Sequence, residues 1–257
     1  MPQIYERFDP APLEWAVDGV VHDGEVVFSS LAQYGRPCLT TVEKGGDVDL
    51  FRLDPEHDAA AFAAADPVVR DALLALRHRD GVFHMELFHD PATGRTAFSE
   101  CAARRGGGMV HEQVEHKFGI DLGAATAQVA LGDPPDLPSA VRPGVVGVAH
   151  VGAAAGTLVQ MPSPGEARDL PGVAFVRHMV PWGSELAGET VSTSDRLVEA
   201  LVEAPSLPRW HDRAARVRAW YSARVLVAPA GATGREVRAA LELQLPGSGA
   251  LDECYEP

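Results

Sequence analysis

Two short segments, "GVFHMELFHD" and "GRTAFSECAARRGGG", constrain this chain more than any other part of it. Both alternate like strands and lie close enough to pair, yet each carries a glutamate near its centre, Glu86 and Glu100. Between the expected strands, Val82–His89 and Thr96–Ala103, lies "DPATGR". A three-residue loop Ala92-Thr93-Gly94, with glycine at its left-handed third position, closes such a hairpin. That register pairs Pro91 with Arg95 and sets Glu86 opposite Glu100, His84 opposite Ala102 and Phe88 opposite Phe98. A two-residue loop would instead bring Ser99 opposite Glu86.

Directly opposed Cβ atoms lie about 5 Å apart, where like charges destabilise a sheet. Two carboxylates that close need a shared proton or a cation between them. A hard divalent ion such as Mg²⁺, which keeps waters and phosphates as its other ligands, suits such oxygens better than zinc does. Arg104 projects from the same face if the strand continues, and Cys101 points the other way, into a core. Gly106, Gly107 and Gly108 let the backbone approach a ligand closely and are compatible with an anion nest. The bland alternative is two surface acids on an exposed hairpin.

Elsewhere, "LEWAVDGVVHDGEVVFSSLAQY" breaks at Asp23-Gly24, a strong hairpin signal. Residues 56–77 look helical, with Asp66 as a cap, Pro67 at the first helical position and Val69, Leu73 and Leu76 on one face. From His111 to Gly132 one or two helices are expected, broken at Gly119. "GVVGVAHV" and "GTLVQM" suggest a hairpin, "GVAFVRHMV" a strand, and "TSDRLVEALVEA" a helix capped near Ser194. A helix carrying Trp210, Val217 and Trp220 follows, and Trp210, Trp220 and Tyr221 fit packing better than stacking. Asp18 and Arg36 are expected to form salt bridges on the first strands, and Arg177 and His178 carry no assignment.

Composition removes several classes. A net charge of -14 argues against a phosphate-backbone partner, so no nucleic acid is expected. Three scattered cysteines make neither a disulfide framework nor a paired-Cys zinc site. His84, His89, His111 and His116 lack compact zinc-ligand spacing. The opening "MPQIYERFDP" has no signal-peptide pattern, and no apolar run approaches the roughly 20 residues a membrane span needs. The expectation is a soluble cytoplasmic protein with no membrane partner.

"GVFHMELFHD…GRTAFSECAARRGGGMVHEQVEHKFGIDLGAATAQVALG" resembles the metal-binding core of ATP-grasp carboxylate–amine ligases. It is most similar to the branch that joins amino acids or small peptides. There a His/Ser-x-Glu strand is followed by a hairpin and then by Glu-x-x-x-Arg with trailing glycines. The resemblance runs from about Pro2 to about Val227. It implies an α+β fold, the C-terminal half of the ATP-grasp fold, mostly antiparallel sheet with packing helices. Residues 1–143 would hold the hinge, the metal-binding hairpin and the following helices; 144–228 would form a small α/β C-terminal extension, and 229–257 a tail.

By that resemblance Glu86 and Glu100 bridge Mg²⁺ to the phosphates of ATP, and Arg104 meets the acyl phosphate or its carboxylate. "IYERF" matches the interdomain hinge beside adenine, with Glu6 as the ribose-side acid. His84, Gly107, Gly108 and His111 are candidate substrate contacts, although capping a helix start is the simpler job for His111. Ala102 stands where many members carry Asn, a substitution the amino-acid ligase branch tolerates.

The implied cofactors are ATP and Mg²⁺, and the implied substrates a small carboxylate and an amine. ATP would phosphorylate the carboxylate, and the amine would displace phosphate to form an amide. Family members normally carry an N-terminal half with phosphate-contacting lysines and a mobile glycine-rich loop. This chain is expected to start almost at the hinge, and neither Lys44 nor Lys117, its only lysines, sits in a context to replace them. A partner half on another chain, or a homo-oligomer, is therefore expected. The competing expectations are a non-catalytic pseudo-ligase that binds nucleotide or metal, or serves as a scaffold, and an unrelated non-heme metal enzyme using His84 and Glu86.

Overall fold

The computed structural model describes residues 8–44, 48–137, 141–188 and 196–244. Asp23 and Gly24 take φ of 53° and 85°, so β1 (Leu13–His22) returns as β2 (Glu25–Tyr34) through the two-residue turn that Asp-Gly favours. There follow α1 (Cys38–Lys44), β3 (Leu50–Arg52), α2 (Ala59–Ala75), β4 (Gly81–Asp90) and β5 (Arg95–Ala102). Next come α3 (Val110–Phe118), α4 (Leu122–Ala130), β6 (Val145–Val151), β7 (Gly156–Gln160) and α5 (Pro164–Ala167). The chain continues with β8 (Val173–His178), β9 (Glu185–Leu186), β10 (Val198–Ala204), α6 (Leu207–Ser222), β11 (Leu226–Ala228) and α7 (Gly234–Gln244).

Eight strands form one antiparallel sheet in the order β5-β4-β1-β2-β3-β6-β10-β8, and β11-β7-β9 form a second, small one. The large sheet runs across residue 143, since β3 pairs with β6. One face packs on α2 and α6: Val17, Phe51, Met85 and Ala149 meet Val69, Leu73, Trp210 and Val217. Trp210 is fully buried, its Nε1 donates to the Val202 carbonyl at 3.0 Å, and Gly147 leaves room for its ring, since a Cβ there would sit 2.7 Å away. On the other face Ala16, Val20, Ala32 and Val82 pack on α3 and α4 through Val114, Phe118, Leu122 and Ala125. Met109 packs with Val146, Val148 and Leu201 further along the sheet, and the polar groups Asp18, His84 and Glu86 lie beside Ala16. No helix of the described residues is long and apolar enough to cross a membrane.

Five expectations are corrected. Helix α2 starts at Ala59, so Pro67 lies inside it; the alanines before it are strong helix formers that carry the helix through a missing N–H. Asp66 is not a cap but pairs with Arg70 at 2.9 Å, and Leu76 lies past the helix end, 55% exposed. β6 and β7 are no hairpin, because they belong to different sheets. Residues 198–204 are a strand rather than a helix. β10 lies between β6 and β8 and buries both faces, which erases the alternation that would have marked it. Ser194 falls outside the described residues. The break at Gly119, which caps α3 with φ of 72°, and the packing role of Trp210 and Tyr221 match the sequence reading.

Candidate active site

Glu86 does face Glu100, but by a different route from the one the spacing suggested. The β4–β5 turn has four residues, Pro91 to Gly94, and Asp90 pairs with Arg95. Asp90 shapes that turn, accepting from the Ala92 N–H and the Thr93 hydroxyl at 2.9 Å each, and Gly94 takes φ of 70°. In this register Phe88 pairs with Ala97, not Phe98, and Leu87 pairs with Phe98. Continued unbroken it would set Glu86 against Ser99. A bulge at Ser99 skips that residue and pairs Glu86 with Glu100 and His84 with Ala102.

The partly buried Glu86 carboxylate is held from beneath. Tyr34 Oη donates to its Oε1 at 2.8 Å, and His84 Nε2 lies 3.7 Å from the same oxygen. The other ring nitrogen, His84 Nδ1, is 2.7 Å from Asp18 Oδ1, and Asp18 Oδ2 is 2.7 Å from Arg52 Nη2. Asp18 and Arg52 are both fully buried. Burial would raise the Asp18 carboxyl, but Arg52 and His84 outweigh it and hold it below the usual range. Burial would lower His84, but Asp18 and Glu86 push it up to about 9, so it is an imidazolium at neutral pH. Burial would likewise raise Glu86, and His84 and Tyr34 hold it low and therefore ionised. Glu14, which accepts from the Cys38 N–H at 2.7 Å, is pushed up by burial and by the charges of Glu86 and Glu100.

Glu86, Glu100, Arg104, His84, Gly107 and Gly108 all line one cavity of about 490 Å³. Arg104 is exposed at its rim, where Nη1 donates to the Arg105 carbonyl at 2.9 Å. Gly106 packs against the His84 ring, where a Cβ would sit 2.7 Å from Nδ1. His111 is not part of this cavity: near the start of α3 it turns toward Glu115 and Asp121, each 3.7 Å away, and the α3 cap at Met109 uses no side chain. Glu6 lies outside the described residues. Asp18 forms the expected salt bridge, in a position that supports His84.

Sequence reasoning missed the opposite wall. Tyr34, His150, Arg196 and Glu199 line the same cavity, and Arg177, left without a role, pairs with Glu199 at 2.6 Å. Arg196 and Glu199 fell in the segment misread as a helix. As a strand, that segment sets Glu199 between His150 and Arg177 across the sheet.

No protein-family model matches the chain. Over 183 residues it is 26% identical to an L-arginine-specific L-amino acid ligase of Bacillus subtilis, covering 71% of this chain and 43% of the relative. The L-amino acid ligase of Bacillus licheniformis superposes with a TM-score of 0.67 at 19% identity, covering 85% of this chain and 52% of its own. The biotin carboxylase domain of Hydrogenobacter thermophilus 2-oxoglutarate carboxylase, solved with MgADP, ADP and bicarbonate, superposes at 0.59 and 18% identity, over 86% and 48%. The chain carries part of the ATP-grasp fold. It spans about half the length of the relatives it matches.

Within that ATP-grasp part, the donor set suits Mg²⁺. Two carboxylates meet across a strand pair, one is held ionised, and oxygen is the donor that a hard cation takes. Among the described residues, the group with three-ligand spacing is His22, Asp23 and Asp80, at the β1–β2 turn, and its two acids are exposed there.

Proposed function

We propose that this chain is the C-terminal half of an ATP-dependent carboxylate–amine ligase that forms an amide or peptide bond through an acyl phosphate. The observation that carries this reading is the bulge-set opposition of Glu86 and Glu100 beside Arg104 in one cavity. Mg²⁺ held by Glu86 and Glu100 supplies charge neutralisation for the phosphates of ATP. Tyr34 and His84 fix the Glu86 carboxylate and keep it ionised, so it needs no reorganisation to receive a cation. Arg104, on the rim, meets the substrate carboxylate, and Gly107 and Gly108 let the backbone close on it.

A carboxylate oxygen attacks the γ-phosphorus of ATP, the bond to the β–γ bridging oxygen breaks, and ADP leaves. The amine then attacks the acyl carbon, the C–O bond to phosphate breaks, and the new amide nitrogen loses a proton. The protein positions reactants and offsets charge, and no side-chain nucleophile is required. Glu6 takes the ribose. The N-terminal half, on the same or another polypeptide, supplies the phosphate-contacting lysines and the glycine-rich loop.

Calorimetry of ADP binding, with and without Mg²⁺, tests this. Binding should require Mg²⁺ and weaken by roughly tenfold or more in Glu100→Ala, the worth of one charge-assisted contact. Mg²⁺-independent binding, or an unaffected and folded Glu100→Ala, would sink the reading. The pseudo-ligase reading draws on Lys117: it is fully buried, and its Nζ donates to Asp54, Arg142 and Gly144, so its charge serves the core. ADP release from ATP, with amide formed, on adding the N-terminal half decides between them.

A further inference from the structure

The corner where β1 ends and β4 begins gathers ligand atoms that the cavity does not use. Val21 pairs with Gly81, so His22 and Asp80 are the next residues on the two strands. Asp23 follows His22 and opens the turn with φ of 53°. Two backbone donors tie that turn to the segment leading into β4. The Asp23 N–H donates to Asp80 Oδ1 at 2.8 Å, and the Gly24 N–H to the Arg79 carbonyl at 2.8 Å. The backbone therefore holds Asp23 and Asp80 together, although they lie 57 residues apart in the chain.

One ring nitrogen of His22 and one carboxylate oxygen from each of Asp23 and Asp80 lie within 4.8 Å of one another. Nε2 is 3.7 Å from Asp23 Oδ2, and Nδ1 is 3.7 Å from Asp80 Oδ1. Neither contact is short enough for a hydrogen bond. The His22 side chain is only 17% exposed, and its Nδ1 is buried with no hydrogen-bond partner among the described residues. A second imidazole stands at the same corner. The His78 ring lies against Gly81, where a Cβ would sit 3.5 Å from it, and its Nε2 is likewise buried without a partner. Two orphaned ring nitrogens thus share a corner with two carboxylates, in a chain of net charge -14. Orphaned nitrogens cost free energy, adjacent carboxylates repel, and a cation relieves both.

Geometry and donor type select the ion. Two metal–ligand bonds of about 2.1 Å at the tetrahedral angle span about 3.4 Å. The gaps of 3.7 Å are close to that span, and the Asp23 side chain, 83% exposed, has room to rotate and close its own. A metal takes one ring nitrogen, and a carboxylate beside the other accepts its N–H, as around metal-bound imidazoles generally. Imidazole nitrogen suits zinc and its late first-row neighbours, whereas Mg²⁺ and Ca²⁺ take oxygen. Glu86 pairs with Ala16, six residues before His22, so about 20 Å of strand separates this corner from the opposed glutamates.

We propose that His22, Asp23 and Asp80 form a site for Zn²⁺ or another late first-row divalent ion, which clips the β1–β2 turn to the start of β4. The site is independent of the ligase reading. Calorimetry and thermal melting with Zn²⁺ as the probe test it. Zn²⁺ should bind the wild-type chain and raise its melting temperature by several degrees at about a hundredfold above Kd. Asp23→Asn is the cleanest variant, because Asn tolerates a φ of 53° and the turn survives while an anionic ligand is lost. It should melt like wild type without metal and bind Zn²⁺ about tenfold or more weakly. His22→Gln should weaken binding at least as much, and Glu100→Ala should bind Zn²⁺ like wild type.

Absence of Zn²⁺ binding at submillimolar concentration overturns the proposal and needs no variant. So does an Asp23→Asn chain that keeps full Zn²⁺ affinity. Loss of binding in Glu100→Ala would place the ion at the opposed glutamates and overturn it as well. Equal competition by Mg²⁺ or Ca²⁺ would refute the nitrogen ligand. If His22→Gln does not fold, Asp23→Asn and the competition decide.

Discussion

At the scale of single residues the molecule keeps charge inside by pairing it. Asp18 and Arg52 are fully buried and meet at 2.7 Å, with Ser30 Oγ accepting from Arg52 Nη1 at 3.1 Å. Asp18→Asn leaves the Arg52 charge uncompensated and should cost about 3–5 kcal/mol in urea unfolding. His84 gives a pH signature whose sign follows from its raised value. Its contribution is complete below pH 6.5, fades as pH rises, and is gone above about 9. A rise from 6.5 to about 9 is worth at most roughly 3 kcal/mol. His84→Gln should therefore be less stable than wild type at pH 6, with the gap closing toward pH 9.5; a gap constant with pH contradicts the imidazolium assignment. The sequence suggests an ion pair at Asp18 but not its partners, since Asp18 meets His84 through the β1–β4 register and Arg52 across β2.

At the scale of elements, one hairpin decides whether there is a site. The sequence reading reached the Glu86–Glu100 pair through a three-residue loop, whereas the fold reaches it through a four-residue turn and a bulge. The two routes differ in what deletion of Ser99 does. With the bulge, removing Ser99 leaves Leu87 opposite Phe98 and Glu86 opposite Glu100, so Mg²⁺-dependent ADP binding should stay within about threefold of wild type, since no charge-assisted contact is lost. With an unbulged register the same deletion would bring Cys101 opposite Glu86 and abolish binding. Helix α6 is the counterweight on the other face. Trp210→Ala opens a cavity against Gly147 and Phe51 and should cost about 3–5 kcal/mol, read as a lower denaturation midpoint. That helix was legible because Trp210, Ala214, Val217 and Tyr221 repeat with its period. β10 was not, because a strand buried on both faces has no polar side to betray it.

At the scale of the whole molecule, the sheet gathers two charged poles onto one face: the opposed glutamates on β4 and β5, and the Arg177–Glu199–Arg196 group near β10. Three strands, β1, β2 and β3, and then β6 separate them in the order of the sheet, and the glycine turn between β5 and α3 spans the cavity they share. The sequence by itself determined the local devices: the Asp-Gly turn, the break at Gly119, the amphipathic α6 and the pairing of two acid-bearing strands. Each is encoded within one turn or one periodic run, where backbone sterics and side-chain period act over a few residues. Only the tertiary structure decided the bulge that aligns the glutamates, the exclusion of His111 and the arrival of His150, Arg196 and Glu199 on the opposite wall. Those depend on which strands become neighbours, and long-range pairing is settled by burying both faces of a sheet at once rather than by any local pattern.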